Sequence, residues 1–158
     1  MVTRTERLRE LGLELPEVVP PVADYIPAIV DRGMARTSGQ LPMVNGNLIC
    51  TGQVGEGGTD PEHAVDAARA AALNAIAAAA AAVGGLDKLA VVVKVTVFVS
   101  SLPDFYGQAQ VANGASELLG AVFETPHIRS AVGVASLPLN AAVEVEAEFL
   151  VADHTQDS

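Results

Sequence analysis

A chain of 158 residues, half of them apolar and 18% charged, is long enough to bury most of its surface around one core and too hydrophobic to remain disordered. Nineteen acidic residues against nine basic ones give a formal charge of −10, so a nucleic-acid backbone is repelled on average, and the scattered basic residues form no stripe with interleaved aromatics. One cysteine, Cys50, excludes an internal disulfide and a cysteine-built zinc cluster, and His63, His127 and His154 lie too far apart in sequence to suggest a helical ligand pair.

Taken in chain order, Thr3 to Leu11 is a charged segment of good helix formers with Leu8 and Leu11 three apart, which predicts a short amphipathic helix rather than a signal peptide and implies a cytoplasmic protein. Pro16 to Pro21 is an extended connector, so residues 1–21 precede the main domain. From Ala28 to Ile49 a strand pair is expected, broken by Asp31-Arg32-Gly33 and Asn45-Gly46-Asn47, and Thr51 to Gly58 is a glycine-rich loop. A long helix follows, with Thr59 and Glu62 as a capping box, Pro61 in its first turn, Gly84-Gly85 at its end and Leu73, Ile76, Ala80 and Val83 as its apolar stripe. Thirteen of the residues from Pro61 to Val83 are alanine, but Asp66, Arg69 and Asn74 interrupt the run and argue against a membrane span.

Val91, Val93, Val95, Val97 and Val99 alternate as in a central strand; Ser101-Leu-Pro-Asp104 opens a second helix running to about Leu119 and closed by Gly120. Two strands, Arg129–Ala135 and Ala142–Val151, flank a loop containing Pro138, and a polar tail, residues 153–158, ends the chain. Strands interleaved with only two helices predict one α+β domain, a single sheet with both helices on one face. The other face, expected to be rich in Val and Ala, requires cover, and copies of the same chain are the simplest source.

Arg129 begins a strand whose next same-face residues, Ala131, Gly133 and Ala135, are small. A guanidinium at the mouth of such a hollow holds a carboxylate bidentately; alternatively it pairs with a surface Glu while the small residues admit a neighbouring subunit. Glu144, Glu146 and Glu148 share one face of the last strand, either as a solvated stripe or with one of them buried near Arg129 to orient a water. Tyr25 and Ser38 are polar residues near the ends of extended segments, and nothing supports a Ser/His/Asp arrangement around Ser38.

The run Arg129-Ser-Ala-Val-Gly-Val-Ala-Ser-Leu-Pro138 with Val143-Glu-Val-Glu-Ala147, together with Thr37-Ser-Gly-Gln-Leu-Pro42, Val93-Lys-Val-Thr-Val-Phe-Val99 and Leu102-Pro-Asp-Phe105, resembles the motifs of the Rid (YjgF/UK114) superfamily, in the family's order over residues 22 to 152. The resemblance implies a chorismate-mutase-like α+β fold, a homotrimer with inter-subunit clefts, and hydrolytic deamination of 2-imino or enamine acids to 2-oxo acids and ammonia, with no cofactor or metal. It implies that Arg129 grips the substrate carboxylate, that Glu144 positions the attacking water, and that Tyr25, Ser38, Gly39 and Asn113 line the pocket. Ala131 stands where many members carry a cysteine, His127-Ile128 replace a common Pro–Ala pair, and the second helix carries an insertion around Tyr106 to Gln110. The alternatives are a non-catalytic trimer that binds a small carboxylate, a structural scaffold, and a ribonuclease.

Overall fold

Thr3 starts helix α1 (Arg4–Glu10) with both halves of a capping box: its hydroxyl accepts from the Glu6 N–H at 3.1 Å and its own N–H donates to the Glu6 carboxylate at 2.9 Å. This is a computed structural model that describes residues 2–152; the tail expected over residues 153–158, with His154, lies outside the described residues. Leu8 is buried, Arg4 donates to the Ala90 carbonyl at 2.7 Å and stacks 5.5 Å over the Phe123 ring, and Arg7 pairs with Glu124, so α1 is sealed onto the body.

The expected strand pair between residues 28 and 49 is two hairpins. Strands β1 (Ala28–Asp31) and β2 (Met34–Thr37) turn at Arg32-Gly33, and the short β3 (Met43–Val44) and β4 (Asn47–Leu48) turn at Asn45-Gly46. All four turn residues have φ between 52° and 82°, the conformation that two-residue hairpin loops demand. Strands β5 (Leu89–Ser100), β6 (Ile128–Val134) and β7 (Val143–Val151) complete a five-stranded sheet in the order β1-β2-β7-β5-β6, with only β5 and β6 parallel; β3 and β4 form a separate ribbon. Helices α2 (Pro61–Val83) and α3 (Gln108–Phe123) pack on one face of the sheet, which makes the fold α+β as expected.

Three expectations are corrected. The N-cap of α2 is Asp60, whose carboxylate accepts from the Glu62 N–H at 3.0 Å, because the Thr59 hydroxyl donates instead to the Thr51 carbonyl at 2.6 Å. The face of α2 turned inward is its alanine row from Ala64 to Ala80 with Ile76, while Leu73 and Val83 stay half-buried. Helix α3 starts at Gln108 rather than at Ser101 and runs through Gly120 to Phe123, with Glu124 in the left-handed conformation as its C-cap. The segment 101–104 is held by β-type bonds instead, from Ser101 N to the Val134 carbonyl at 2.9 Å and from Leu102 N to the Val54 carbonyl at 3.0 Å. Asp60→Ala is expected to destabilise the protein by about 1 kcal/mol, read as a thermal midpoint lower by roughly 2–4 °C.

Helix α2 is long and apolar enough to cross a membrane by composition, but 67% of that window is buried inside the fold. Its small side chains lie on β7 and β2, above a core that includes Val95, Val97, Val99, Val143, Val145 and Phe149. In β5 the alternation breaks at a register shift between Val92 and Lys94, so Val92 is buried where the pattern called for Val91 and Val93.

The opposite face of the sheet is not the expected Val and Ala surface. Glu144, Glu146 and Glu148 run down its middle, with Lys94, Thr96 and Phe98 beside them on β5 and Arg36 at 3.8 Å from Glu148. Ile29, Ile128, Val132 and Leu150 form exposed apolar flanks of the same face.

Candidate functional site

Ser38 follows directly on β2, and its N–H and hydroxyl both donate to the Pro27 carbonyl, at 2.8 and 3.2 Å. The chain then steps onto β7, as Gln40 exchanges both backbone bonds with Val145, at 2.7 and 2.9 Å. The step lays Gly39 against the side chain of Glu144. A Cβ placed on Gly39 would sit 2.1 Å from the Glu144 Oε1 and 2.7 Å from its Cγ, so only glycine lets the carboxylate lie where it does. Tyr25, Ser38, Gly39 and Glu144 line one cavity with Pro138, of about 40 Å3, which is room for little more than water.

Burial, and then the charge of Glu146, push the Glu144 carboxyl above its usual range. An acid whose folded pKa is raised favours the protonated native state: its contribution is favourable below the unfolded pKa and is lost as pH rises through the folded value. Glu144→Gln is therefore expected to be more stable than wild type at pH 7, with the gap closing as pH falls through the raised folded value and gone below the ordinary carboxyl range. Chemical denaturation of both proteins at pH 4 and pH 7 measures this, and equal midpoints at pH 7 would contradict it.

Arg129 lies elsewhere. It stands in register with Val95 on β6, on the face covered by the helices, whereas Glu144 pairs with Phe98 on the uncovered face. Two strands across and three residues along, their backbones are about 14 Å apart, with the sheet between them. The expectation that one carboxylate of this stripe lies near Arg129 within the chain is thus corrected: alternation along β7 turns Val143 and Val145 to the core and Glu144 away from it.

The alternative that Arg129 pairs with a surface glutamate is not realised either. Its Nη1 donates to the Asn113 Oδ1 at 2.7 Å and to the Ser116 hydroxyl at 3.2 Å, and it has no carboxylate partner among the described residues. Ser116 also lies 3.0 Å from the His127 Nε2, and burial, followed by the charge of Arg129, lowers the pKa of that imidazole. Asn113, expected in the pocket, lies against the Arg129 guanidinium. Ser116 was missed, although its spacing of three from Asn113 puts both on one helix face. Ala135 falls beyond the end of β6, so the row of small residues after Arg129 comprises Ala131 and Gly133.

The chain therefore carries two separate clusters. One presents a half-buried carboxylate beside a hydroxyl and a phenol; the other presents a guanidinium oriented by neutral partners. No group of three or more His, Cys, Asp or Glu residues that would hold a metal exists among the described residues.

The family model described as endoribonuclease L-PSP matches residues 16–151. Protein TCP17 of Trypanosoma cruzi is 44% identical over 143 residues, covering 89% of each chain. A crystal structure of a protein of unknown function from Agrobacterium tumefaciens is 41% identical, covers 96% of this chain and 94% of its own, and superposes with a TM-score of 0.85. TdcF of E. coli, crystallised with bound serine, is 25% identical, covers 85% of this chain and 91% of its own, and has a TM-score of 0.57.

Proposed function

Because the chain belongs to the endoribonuclease L-PSP family, the Rid or YjgF/UK114 family, we propose that it is a homotrimeric deaminase that hydrolyses small 2-imino acids to 2-oxo acids and ammonia. The carrying observation is that the guanidinium and the carboxylate lie in separate clusters on opposite faces of the sheet. Arg129 has its guanidinium fixed by Asn113 and Ser116 with no counter-charge, and Glu144 sits with Tyr25 and Ser38 beside a cavity too small for an amino acid. A neighbouring copy docked on the apolar flanks of the uncovered sheet face, with its β6 edge beside this chain's Glu144, supplies the missing half.

In such a cleft Arg129 of one protomer binds the substrate carboxylate bidentately and fixes the C=N carbon in front of Glu144 of the next. Water adds its oxygen to that carbon as the Glu144 carboxylate takes its proton. That proton passes to the nitrogen to give the carbinolamine, whose hydroxyl proton is then carried to the nitrogen by the same carboxylate as the C–N bond breaks, so that ammonia leaves and the carbonyl forms. A carboxyl raised by burial suits both halves of this transfer. The reaction needs no redox partner, and imines hydrolyse readily enough unaided that a few kcal/mol of positioning suffices. Serine bound to TdcF supports the ligand class, an amino-acid-sized carboxylate.

The test is ammonia and 2-oxo acid release from freshly generated 2-aminoacrylate and bulkier imino acids, with Arg129→Ala in parallel. Acceleration lost in the variant is the expected result. Absence of acceleration, with a labelled imino-acid analogue still bound through Arg129, would make the protein a carboxylate-binding trimer. RNA cleavage that survives Arg129→Ala would replace the proposal with a ribonuclease, against the excess of acidic over basic residues.

A further inference from the structure

The connector that follows α1 crosses the outer side of α2 and, with the β3–β4 hairpin, encloses a second cavity of about 620 Å3, within the range of small-molecule sites. Its walls are aliphatic: Pro16, Val18 and Val19 from the connector, Met43 and Val44 from the hairpin, Leu73 from α2. Its charged lining is of one sign, Glu14 and Glu17, with no Lys or Arg.

Asn74 gives the cavity a polar floor. This residue is only 2% exposed in the middle of α2, and its Nδ2 donates to the Leu41 and Met43 carbonyls at 3.0 Å each, which fixes the amide's orientation. Both donors are thereby used, and among the side-chain hydrogen bonds of the described residues none is accepted by the Oδ1. That oxygen is left free to accept, and it belongs to a side chain that lines the cavity.

From this geometry we infer that the cavity is a binding site for an apolar primary amine, whose ammonium is held by the Glu14 and Glu17 carboxylates while its hydrocarbon body fills the aliphatic walls over the Asn74 amide. The site is distinct from the clusters around Glu144 and Arg129 and does not depend on the deaminase reading. It shares Val19, Pro20 and Met43 with the wall of the Glu144 cavity, so a ligand in one is in mechanical contact with the other.

Calorimetric titration of the full chain with phenethylamine and tryptamine, against phenethyl alcohol and 3-phenylpropionate, tests this. The amines are expected to bind with Kd below about 1 mM and at least about tenfold more tightly than the alcohol and the carboxylate. Glu14→Gln with Glu17→Gln is expected to remove most of that preference, since both side chains are exposed and their loss leaves the core untouched. Ala70→Phe, placed in the cavity wall, is expected to abolish binding while circular dichroism and thermal midpoint stay near wild type. Equal affinity for amine and alcohol, no binding at about 10 mM, or a preference unchanged in the double glutamine variant would overturn the inference. Should Ala70→Phe fail to fold, the glutamine pair alone decides.

Discussion

Mixing Arg129→Ala with Glu144→Gln is expected to restore activity that neither protein has alone. In the proposed trimer each variant leaves every cleft short of one of its two charged groups, and kcat/KM is expected to fall by about 10²-fold, equivalent to about 2.7 kcal/mol of transition-state stabilisation. In a mixed trimer a cleft is complete when Glu144 comes from an Arg129→Ala protomer and Arg129 from an adjacent Glu144→Gln protomer. Random assembly from equal amounts makes about one cleft in four complete. The effect is a direct consequence of Arg129 and Glu144 lying on opposite sides of one sheet. Co-refolding the two proteins from denaturant and following ammonia release gives the readout, with native mass spectrometry to establish that mixed trimers have formed. Mixed trimers that remain inactive would mean that the two clusters do not meet across the interface.

Gly114→Ala is expected to cost about 2 kcal/mol net, against the usual direction for a glycine inside a helix. Helix propensity alone favours alanine by about 1 kcal/mol. Gly114, however, is the point where α3 crosses α2: a Cβ there would lie 2.1 Å from the Val65 carbonyl oxygen and 3.1 Å from its Cγ1. The first of these is backbone within α2, which has no rotamer to change, so the helices must separate, and overpacking of this kind costs about 1–3 kcal/mol or more. Asn113 and Ser116 flank this crossing and move with α3, so Arg129 loses its orientation and activity falls further than the fraction unfolded explains. Gly120→Ala is the internal control. It lies in the same helix with nothing within 4 Å of its Cβ, and it is expected to gain up to about 1 kcal/mol. Denaturant midpoints for the two variants should move in opposite directions; movement in the same direction would refute the packing argument.

Local patterns carried most of the fold. Asn-Gly and Arg-Gly turns, alternation in β7 and the alanine-rich helix are all decided by residues within a few positions of one another. The two helix-start errors share one physical origin, which is recruitment of a local signal by a distant partner. Thr59 and Asp60 are both competent caps, and Thr59 lost the role because Thr51 captured its hydroxyl across the glycine loop. Ser101 to Asp104 reads as a helix start, but Val134 and Val54 hold it as extended chain. In the site, alternation correctly grouped Glu144 with Glu146 and Glu148 and Arg129 with Ala131 and Gly133. It could not say that the two rows point to opposite sides, because strand order is absent from any one strand's pattern. Asn113 was legible only through family resemblance, and its 2.7 Å bond to Arg129 now gives it a physical reason.

The alanine face of α2 has one more implication, for how this protein is able to vary. Each of its buried methyl groups is ordered without loss of rotamer freedom, so the helix docks at little entropic cost beyond that of its backbone. The same surface has almost nothing left to trim and no slack to accept growth, since a larger side chain meets β7 or β2 directly. Drift at these positions has only one direction, and it is harmful. Diversification among close relatives should therefore collect in the connector and the β3–β4 hairpin, leaving the helix as the template against which every other part is refitted.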